Sequence, residues 1–388
     1  MPPYPTLLAL QFATGCLSAP LLSQLAVYID VLHWSPLFTA SLQTAQMLLG
    51  AITSIGGGLL ADLVGVRRAY LLGLLGAVLL ALVFLTAEPA LMLLLALAGG
   101  AAIGTQYVAS QAYLLAARGR SRIGLGAAVF FLGNTLGSSL GNLVAGRAIV
   151  QLGFPPVMAT IAAASLALLA AAALVLPALP TAASRQRPLS ILRGYGRLLR
   201  QRPVAVLCAV RYLTTCYWGA ATLLLPLLLH RLTGSAAVAG AYAALSLAVA
   251  AVASVAVGRL WDRLQSRWIA PALIATVAVD GLLLAAVARN VTGLFLAGTL
   301  GAAAAWSLSA LMPGLIGSLA VDTERGRGVG LLQSAWSIGM LSGALLAGGL
   351  VEIAPSLPFL ASAGLVVVAL LLMLRLRGVA HPAAVVRG

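Results

Sequence analysis

Long apolar stretches recur along this chain, broken by short links that carry Arg, Pro, Gly or an occasional acid. Twelve of them have the length for a helix to cross a bilayer, which takes about 20 apolar residues. They fall near 5–29, 36–60, 69–87, 89–114, 123–149, 154–178, 203–229, 236–260, 268–288, 292–318, 328–350 and 356–375. Alternation of period two is absent, which argues against a membrane β-barrel. The first stretch has no basic residues before it and is expected to be a transmembrane helix, not a cleaved leader.

Composition supports this reading. Of the 388 residues, 62% are hydrophobic and only 8% charged, against roughly 25% charged in a soluble domain. Mean hydropathy is +1.06. Too little polar surface exists to cover a water-soluble globule, so a cytosolic enzyme and a disordered chain are both excluded. The expected fold class is an all-α polytopic membrane protein. Cys16, Cys208 and Cys216 lie inside apolar stretches and form neither a disulfide framework nor a Cys-x-x-Cys site.

The net charge is +15, and all 23 basic residues are Arg, with no Lys anywhere. Short Arg clusters between apolar stretches are unlike a nucleic-acid surface, and without Lys there is no P-loop. Nineteen of the 23 Arg fall on the even-numbered links and the C-terminal tail. The positive-inside rule then places those links and both termini in the cytoplasm, with Arg147, Arg231 and Arg289 outside. The longest link, 180–202, holds six Arg. It divides the chain into an N-terminal six-helix bundle (1–179) and a C-terminal one (203–378), followed by a cytoplasmic tail (379–388).

The two halves are related. At an offset of 200 residues, Gln11-Phe12-Ala13-Thr14-Gly15-Cys16 falls on Arg211-Tyr212-Leu213-Thr214-Thr215-Cys216. At the same offset Gly58, Leu60, Asp62 and Arg67 fall on Gly258, Leu260, Asp262 and Arg267. At an offset of 206, Gly124, Gly133 and Gly137 fall on Gly330, Gly339 and Gly343. Two parallel six-helix repeats form a transporter architecture with a substrate site near the membrane midplane. The expectation is therefore twelve transmembrane helices in two pseudo-symmetric six-helix bundles.

The links after spans 2 and 8 carry a motif. One runs Gly58-Leu59-Leu60-Ala61-Asp62-Leu63-Val64-Gly65-Val66-Arg67-Arg68; the other runs Gly258-Arg259-Leu260-Trp261-Asp262-Arg263-Leu264-Gln265-Ser266-Arg267. Glycine permits close helix approach, and a carboxylate at a helix end caps its neighbour or pairs with Arg. The pattern resembles the cytoplasmic loop signature of the major facilitator superfamily, G-x-L-x-D-R-x-G-x-R-[RK], at the position where that family has it. The departures are Leu63 in the first copy and Gln265 in the second. The resemblance implies a cytoplasmic gate made by Gly58, Asp62, Arg67, Arg68, Gly258, Asp262, Arg263 and Arg267. Span 5, with Gly124, Gly133, Gly137-Ser138 and Gly141-Asn142, resembles a degenerate form of the family's fifth-helix exporter signature. Ser138 and Asn142 replace its Pro and a Gly. Span 4 lacks the Arg that the family associates with proton coupling.

Gly137-Ser138-Ser139-Leu140-Gly141 also fits the hydrolase pattern G-x-S-x-G, but that elbow needs a strand-to-helix turn and a His base. Here it sits within a span, and His33, His230 and His381 lie outside the apolar cores. No catalytic, metal or cofactor site is read from the chain. Two ionisable residues lie inside spans, Arg211 and Asp280, and each is a functional candidate because a charge in the bilayer core is costly. Arg211, Thr215, Trp218 and Thr222 share one helical face, which is expected to line a cavity, with Gln11 on the matching face of span 1. Asp280 is a candidate for ion coupling or for a structural contact. Further cavity candidates are Gln106 and Tyr113 on span 4, Asn134 on span 5, Trp306 as the repeat equivalent of Gln106, and Gln333 and Trp336 on span 11.

The expected function is secondary active transport by alternating access in the bacterial inner membrane. Ion-coupled export of a small amphipathic or anionic compound comes first, with the proton as coupling ion. Uptake of an organic acid or other nutrient by symport is the alternative. A membrane-embedded enzyme or a non-transporting helix bundle is the reading from another class. Expected partners are the small-molecule substrate and membrane lipid, not nucleic acid, and the chain is expected to be a monomer.

Overall fold

The computed structural model describes residues 3–118, 123–178, 196–264, 266, 268–319 and 325–376. Thirteen helices run through these residues, with no strand among them. They are α1 (Pro3–Ser23), α2 (Leu25–Val31), α3 (Pro36–Val64), α4 (Val66–Val83), α5 (Pro89–Arg118), α6 (Ile123–Leu152) and α7 (Phe154–Val175). After the central link come α8 (Arg202–Thr233), α9 (Ala236–Leu264), α10 (Ile269–Ala286), α11 (Val291–Leu319), α12 (Arg325–Leu350) and α13 (Leu357–Leu376). Most of the 180–202 link and the tail at 379–388 lie outside the described residues.

Local chemistry sets the helix ends. Ser35 caps α3 by accepting a hydrogen bond from the Leu37 amide at 3.1 Å, and Pro36 follows at a position where a missing N–H costs nothing. Gly65 turns α3 into α4 at φ 88°, a backbone conformation that favours glycine. This accounts for the second glycine of the first loop motif. Between α1 and α2 the backbone bonding continues, with Gln24 N–H on Pro20 O at 3.0 Å and Tyr28 N–H on Gln24 O at 2.9 Å. The two helices therefore form one crossing, Pro3–Val31.

Ten described stretches are long and apolar enough to cross a membrane. Helices α3 and α6, of 29 and 30 residues, have the length as well. With α1 and α2 joined, the thirteen helices make twelve crossings, the architecture expected from hydropathy.

The chain forms two compact units. The first comprises 1–184 together with 223–248; the second comprises 185–222 and 249–388. In the first, α3 and α4 both pack on α5, α1 packs on α6, and α4 packs on α7. Its core includes Tyr28, Phe84 and Phe154, with Tyr28 5.0 Å and 5.2 Å from the other two ring centres. In the second unit α10 packs on α11 and α13. The units do not follow the sequence repeat, because the end of α8 and the start of α9 belong to the first. Small residues permit this: the Cα of Gly240 would lie 3.0 Å from a Cβ at Gly146. Hydrogen bonds add to it, with Ser139 Oγ donating to Ala244 O at 2.7 Å and Gln24 Nε2 to Ala236 O at 3.3 Å.

Candidate transport site and gates

The first and fifth crossings of each repeat meet backbone to backbone. A Cβ at Gly137 or Gly141 would overlap the carbonyl oxygen of Phe12 or Cys16 on α1. In the second repeat, a Cβ at Gly339 would lie 2.6 Å from Tyr212 O, and one at Gly343 would overlap Cys216 O. Phe12 matches Tyr212 and Cys16 matches Cys216, so Gly137 corresponds to Gly339 and Gly141 to Gly343, an offset of 202. The offset of 206 expected for this helix is corrected by one turn. The physical reason is that Gly133, Gly137 and Gly141 are spaced by four, so a one-turn slip aligns glycines almost as well. In the corrected register Asn134 corresponds to Trp336.

Trp306 is not the counterpart of Gln106. A Cβ at Gly99 would lie 2.8 Å from Leu80 Cγ, and one at Gly301 would lie 2.8 Å from Asp280 Cγ. Gly99 and Gly301 are thus equivalent, again at an offset of 202, and Gln106 corresponds to Leu308, not Trp306.

Within the first unit, two cavity candidates meet: Asn134 Nδ2 donates to the Gln11 backbone oxygen at 3.3 Å. The Gln11 side chain is buried, and its Oε1 has no hydrogen-bond partner. Gln106 is buried against α4, where Gly73 faces it. Tyr113 lies in the apolar core with no exposed surface, and its hydroxyl donates to Pro177 O at 2.8 Å. It holds the end of α7 against α5.

Within the second unit, Arg211, Trp218, Gln333 and Trp336 are half-buried. Trp218 meets Trp306 edge to face, with ring centres 6.2 Å apart at 82°, and Trp306 is 41% exposed. The expected polar stripe on α8 is broken at Thr215. That residue is 3% exposed, its Cβ faces Gly339, and its hydroxyl donates to the Arg211 backbone oxygen at 2.7 Å. Threonine bonds back to its own helix in this way readily, so a shared face does not ensure a shared cavity. Thr222 does the same with Gly219 O at 3.1 Å.

Asp280 stands apart from these residues. It is wholly buried, and it accepts a hydrogen bond from Tyr217 of α8, itself 1% exposed. Tyr217 was not foreseen; the signal available was that a lone acid inside an apolar span needs a buried donor.

At the loops after the second and eighth crossings, Gly58 and the side chains of Asp62, Asp262 and Arg267 lie outside the described ones. Arg67 donates from Nη2 to the Ala173 carbonyl, joining α4 to α7. Arg68 and Arg263 are exposed, and a Cβ at Gly258 would meet nothing within 4 Å.

At the opposite ends of the first and seventh crossings, Arg231 Nε bonds Asp30 Oδ1 at 2.8 Å. Beside it, His230 Nδ1 is buried without a hydrogen bond. In the sequence Arg231 stands out as a marker of topology alone, and Asp30 does not stand out. The available signal was that Asp30 and His230 are repeat equivalents, which puts ionisable groups at matching helix ends.

Twelve membrane crossings in two repeated sets of six, with polar side chains buried among them, define a polytopic membrane protein with a transporter fold. The sequence profile described as Major Facilitator Superfamily matches residues 7–279 and 213–387. The chain belongs to that family. No curated protein sequence matches it. Among solved structures, the nucleoside transporter NupG is similar with a TM-score of 0.79 and 16% identity, covering 97% of this chain and 99% of its own. A POT family transporter in complex with 5-aminolevulinic acid gives 0.79 and 13%, covering 96% and 95%. A bacterial homolog of the human lysosomal transporter Spinster gives 0.76 and 12%, covering 97% and 96%. At such identities the likeness concerns the fold.

Proposed function

We propose that this protein is a secondary active transporter of the bacterial inner membrane, which exports a small amphipathic or anionic compound by alternating access with the proton as coupling ion. The observation that carries the reading is Arg211, a half-buried guanidinium inside a membrane-crossing helix. Insertion of such a charge costs roughly 2.5–3.5 kcal/mol, so its retention calls for a use. A guanidinium binds carboxylate-like groups through two parallel hydrogen bonds. On the same helix, Trp218 with Trp306 offers an apolar and aromatic surface to the rest of such a substrate. The family fold supplies the rocking of two halves about a central site.

Two gates follow from this reading. The cytoplasmic loops with Asp62 and Asp262 form the inner one, and the Asp30–Arg231 pair closes the outer end. Gln24 and Ser139 brace that closure through their bonds to α9.

The test is uptake by everted membrane vesicles of a panel of carboxylate-bearing amphipathic compounds, with and without the protein. Accumulation driven by a pH gradient is expected for at least one of them. Arg211→Lys keeps the charge and loses the fork, so it should raise KM. Arg211→Gln copies Gln11 of the first repeat; it should insert normally and lose transport. Unchanged affinity and rate in Arg211→Gln would overturn the anion reading. Labelling of Arg197→Cys from outside intact cells would overturn the orientation.

A further inference from the structure

Asp280 is enclosed on several sides. From α8, the Tyr217 hydroxyl donates to Oδ2. From α11, the backbone at Gly301 closes over both groups, so that a Cβ there would overlap the Tyr217 oxygen and Asp280 Oδ2. From α13, Phe359 and Ala363 press on the neighbouring Gly281. Oδ1 is buried and has no hydrogen-bond partner. The groups that act on the carboxyl are Tyr217 and the Gly301 backbone, with no charged side chain among the described residues.

An ionised carboxylate here would be an uncompensated charge with one oxygen wholly unsatisfied. A neutral carboxyl fits: it needs no counter-charge, and it keeps its contacts with the Tyr217 hydroxyl and the Gly301 backbone. The acid is not needed to pack the helices, because the first repeat builds the same contact from Leu80 against Gly99, with Leu17 standing where Tyr217 stands.

We infer that Asp280, held by Tyr217 and Gly301, is a proton-binding site inside the second bundle. It carries its proton while α8, α10 and α11 are packed as here, and releases it when these helices part and water reaches Oδ1. The same two helices, α8 and α11, carry the Trp218–Trp306 pair. Gly301 and Trp306 are five residues apart on α11, about 7.5 Å along the axis. A movement that opens the acid to water therefore also shifts the aromatic pair, which ties protonation to the substrate surface. That use of the proton rests on the transporter reading above; the proton site itself does not.

Infrared difference spectroscopy of the purified full-length protein tests it without any substrate. At about pH 6 an ordinary carboxyl group is ionised. The wild type should still show the C=O stretching band of a protonated carboxyl, Asp280→Asn should lack it, and Tyr217→Phe should shift it to higher frequency as its hydrogen bond is lost. Asp280→Asn matches the neutral acid in shape and charge and should fold; if it does not, the shift in Tyr217→Phe decides. Absence of the band in the wild type, its survival in Asp280→Asn, an unshifted band in Tyr217→Phe, or its loss on adding sodium at constant pH would each overturn the proposal. Failure of every compound to be transported would instead overturn the transporter reading and leave the band in place.

Discussion

The third and fourth crossings of the first repeat meet at Leu80 and Gly99; their counterparts meet at Asp280 and Gly301. In both, the side-chain Cγ lies the same 2.8 Å from where a Cβ on the glycine would be. One site is apolar throughout, and the other buries an acid hydrogen-bonded to Tyr217. The crossing of α1 with α6 and of α8 with α12 shows the same division. Glycines bring the backbones together in both, but Gln11 and Asn134 on one side become Arg211 and Trp336 on the other. Close helix approach is thus a property of both repeats, while the ionisable chemistry inside the bilayer belongs to the second. Backbone packing in a membrane depends on small residues at the interface, and it tolerates a change of chemistry beside them as long as the glycine stays.

The largest effect should come from filling the shared glycines. Gly141→Ala and Gly343→Ala each place a methyl on a carbonyl oxygen of the partner helix. Neither helix can give without moving its backbone, so both variants should lose most of their folded protein in detergent, measured by size-exclusion yield. A half that accepts the methyl would break the equivalence. Next comes Gly301→Ala against Gly99→Ala. The methyl at 301 meets a hydrogen-bonded pair and should destabilise by about 1–3 kcal/mol. The methyl at 99 meets the end of the Leu80 side chain, which can rotate away, and should lower the unfolding temperature less. Equal losses would show that the acid site is no more rigid than the leucine site.

Writing the first repeat into the second, as Asp280→Leu with Tyr217→Leu, should change stability by less than about 1.5 kcal/mol, because total volume is nearly kept and a buried polar pair is removed. Transport should then no longer respond to a pH gradient. A severe loss of folding would mean that the polar pair holds the bundle together. The smallest effect belongs to Asp30 and Arg231, whose side chains are 19% and 34% exposed. A double-mutant cycle with Asp30→Asn and Arg231→Gln should give a coupling under about 1 kcal/mol that weakens with salt.

Hydropathy, a signal along one dimension, was enough for the twelve crossings and the all-helical class, because the bilayer demands about 20 apolar residues per pass whatever surrounds them; the repeat was legible in residue matches at a fixed offset. Asp280 and Arg211 were legible as candidates for the same reason, since an ionisable residue in an apolar run stands out without knowledge of its neighbours. The loop motif led to the family, and the sequence profile shows it. Tertiary structure decided whatever depends on which helix faces which. A one-turn slip leaves glycines spaced by four nearly aligned, so only the contacts of Gly339 and Gly343 set the register at 202. Thr215 shares a face with Arg211 yet packs on Gly339, and Arg67 belongs to a loop motif yet bonds Ala173 of α7. Asp30 meets Arg231 from 201 residues away, and Asp280 meets Tyr217 from 63. Such partners are unrelated by any local spacing. Helical periodicity tells which side chains share a face, but the neighbour that covers the face is set by the packing of the whole bundle.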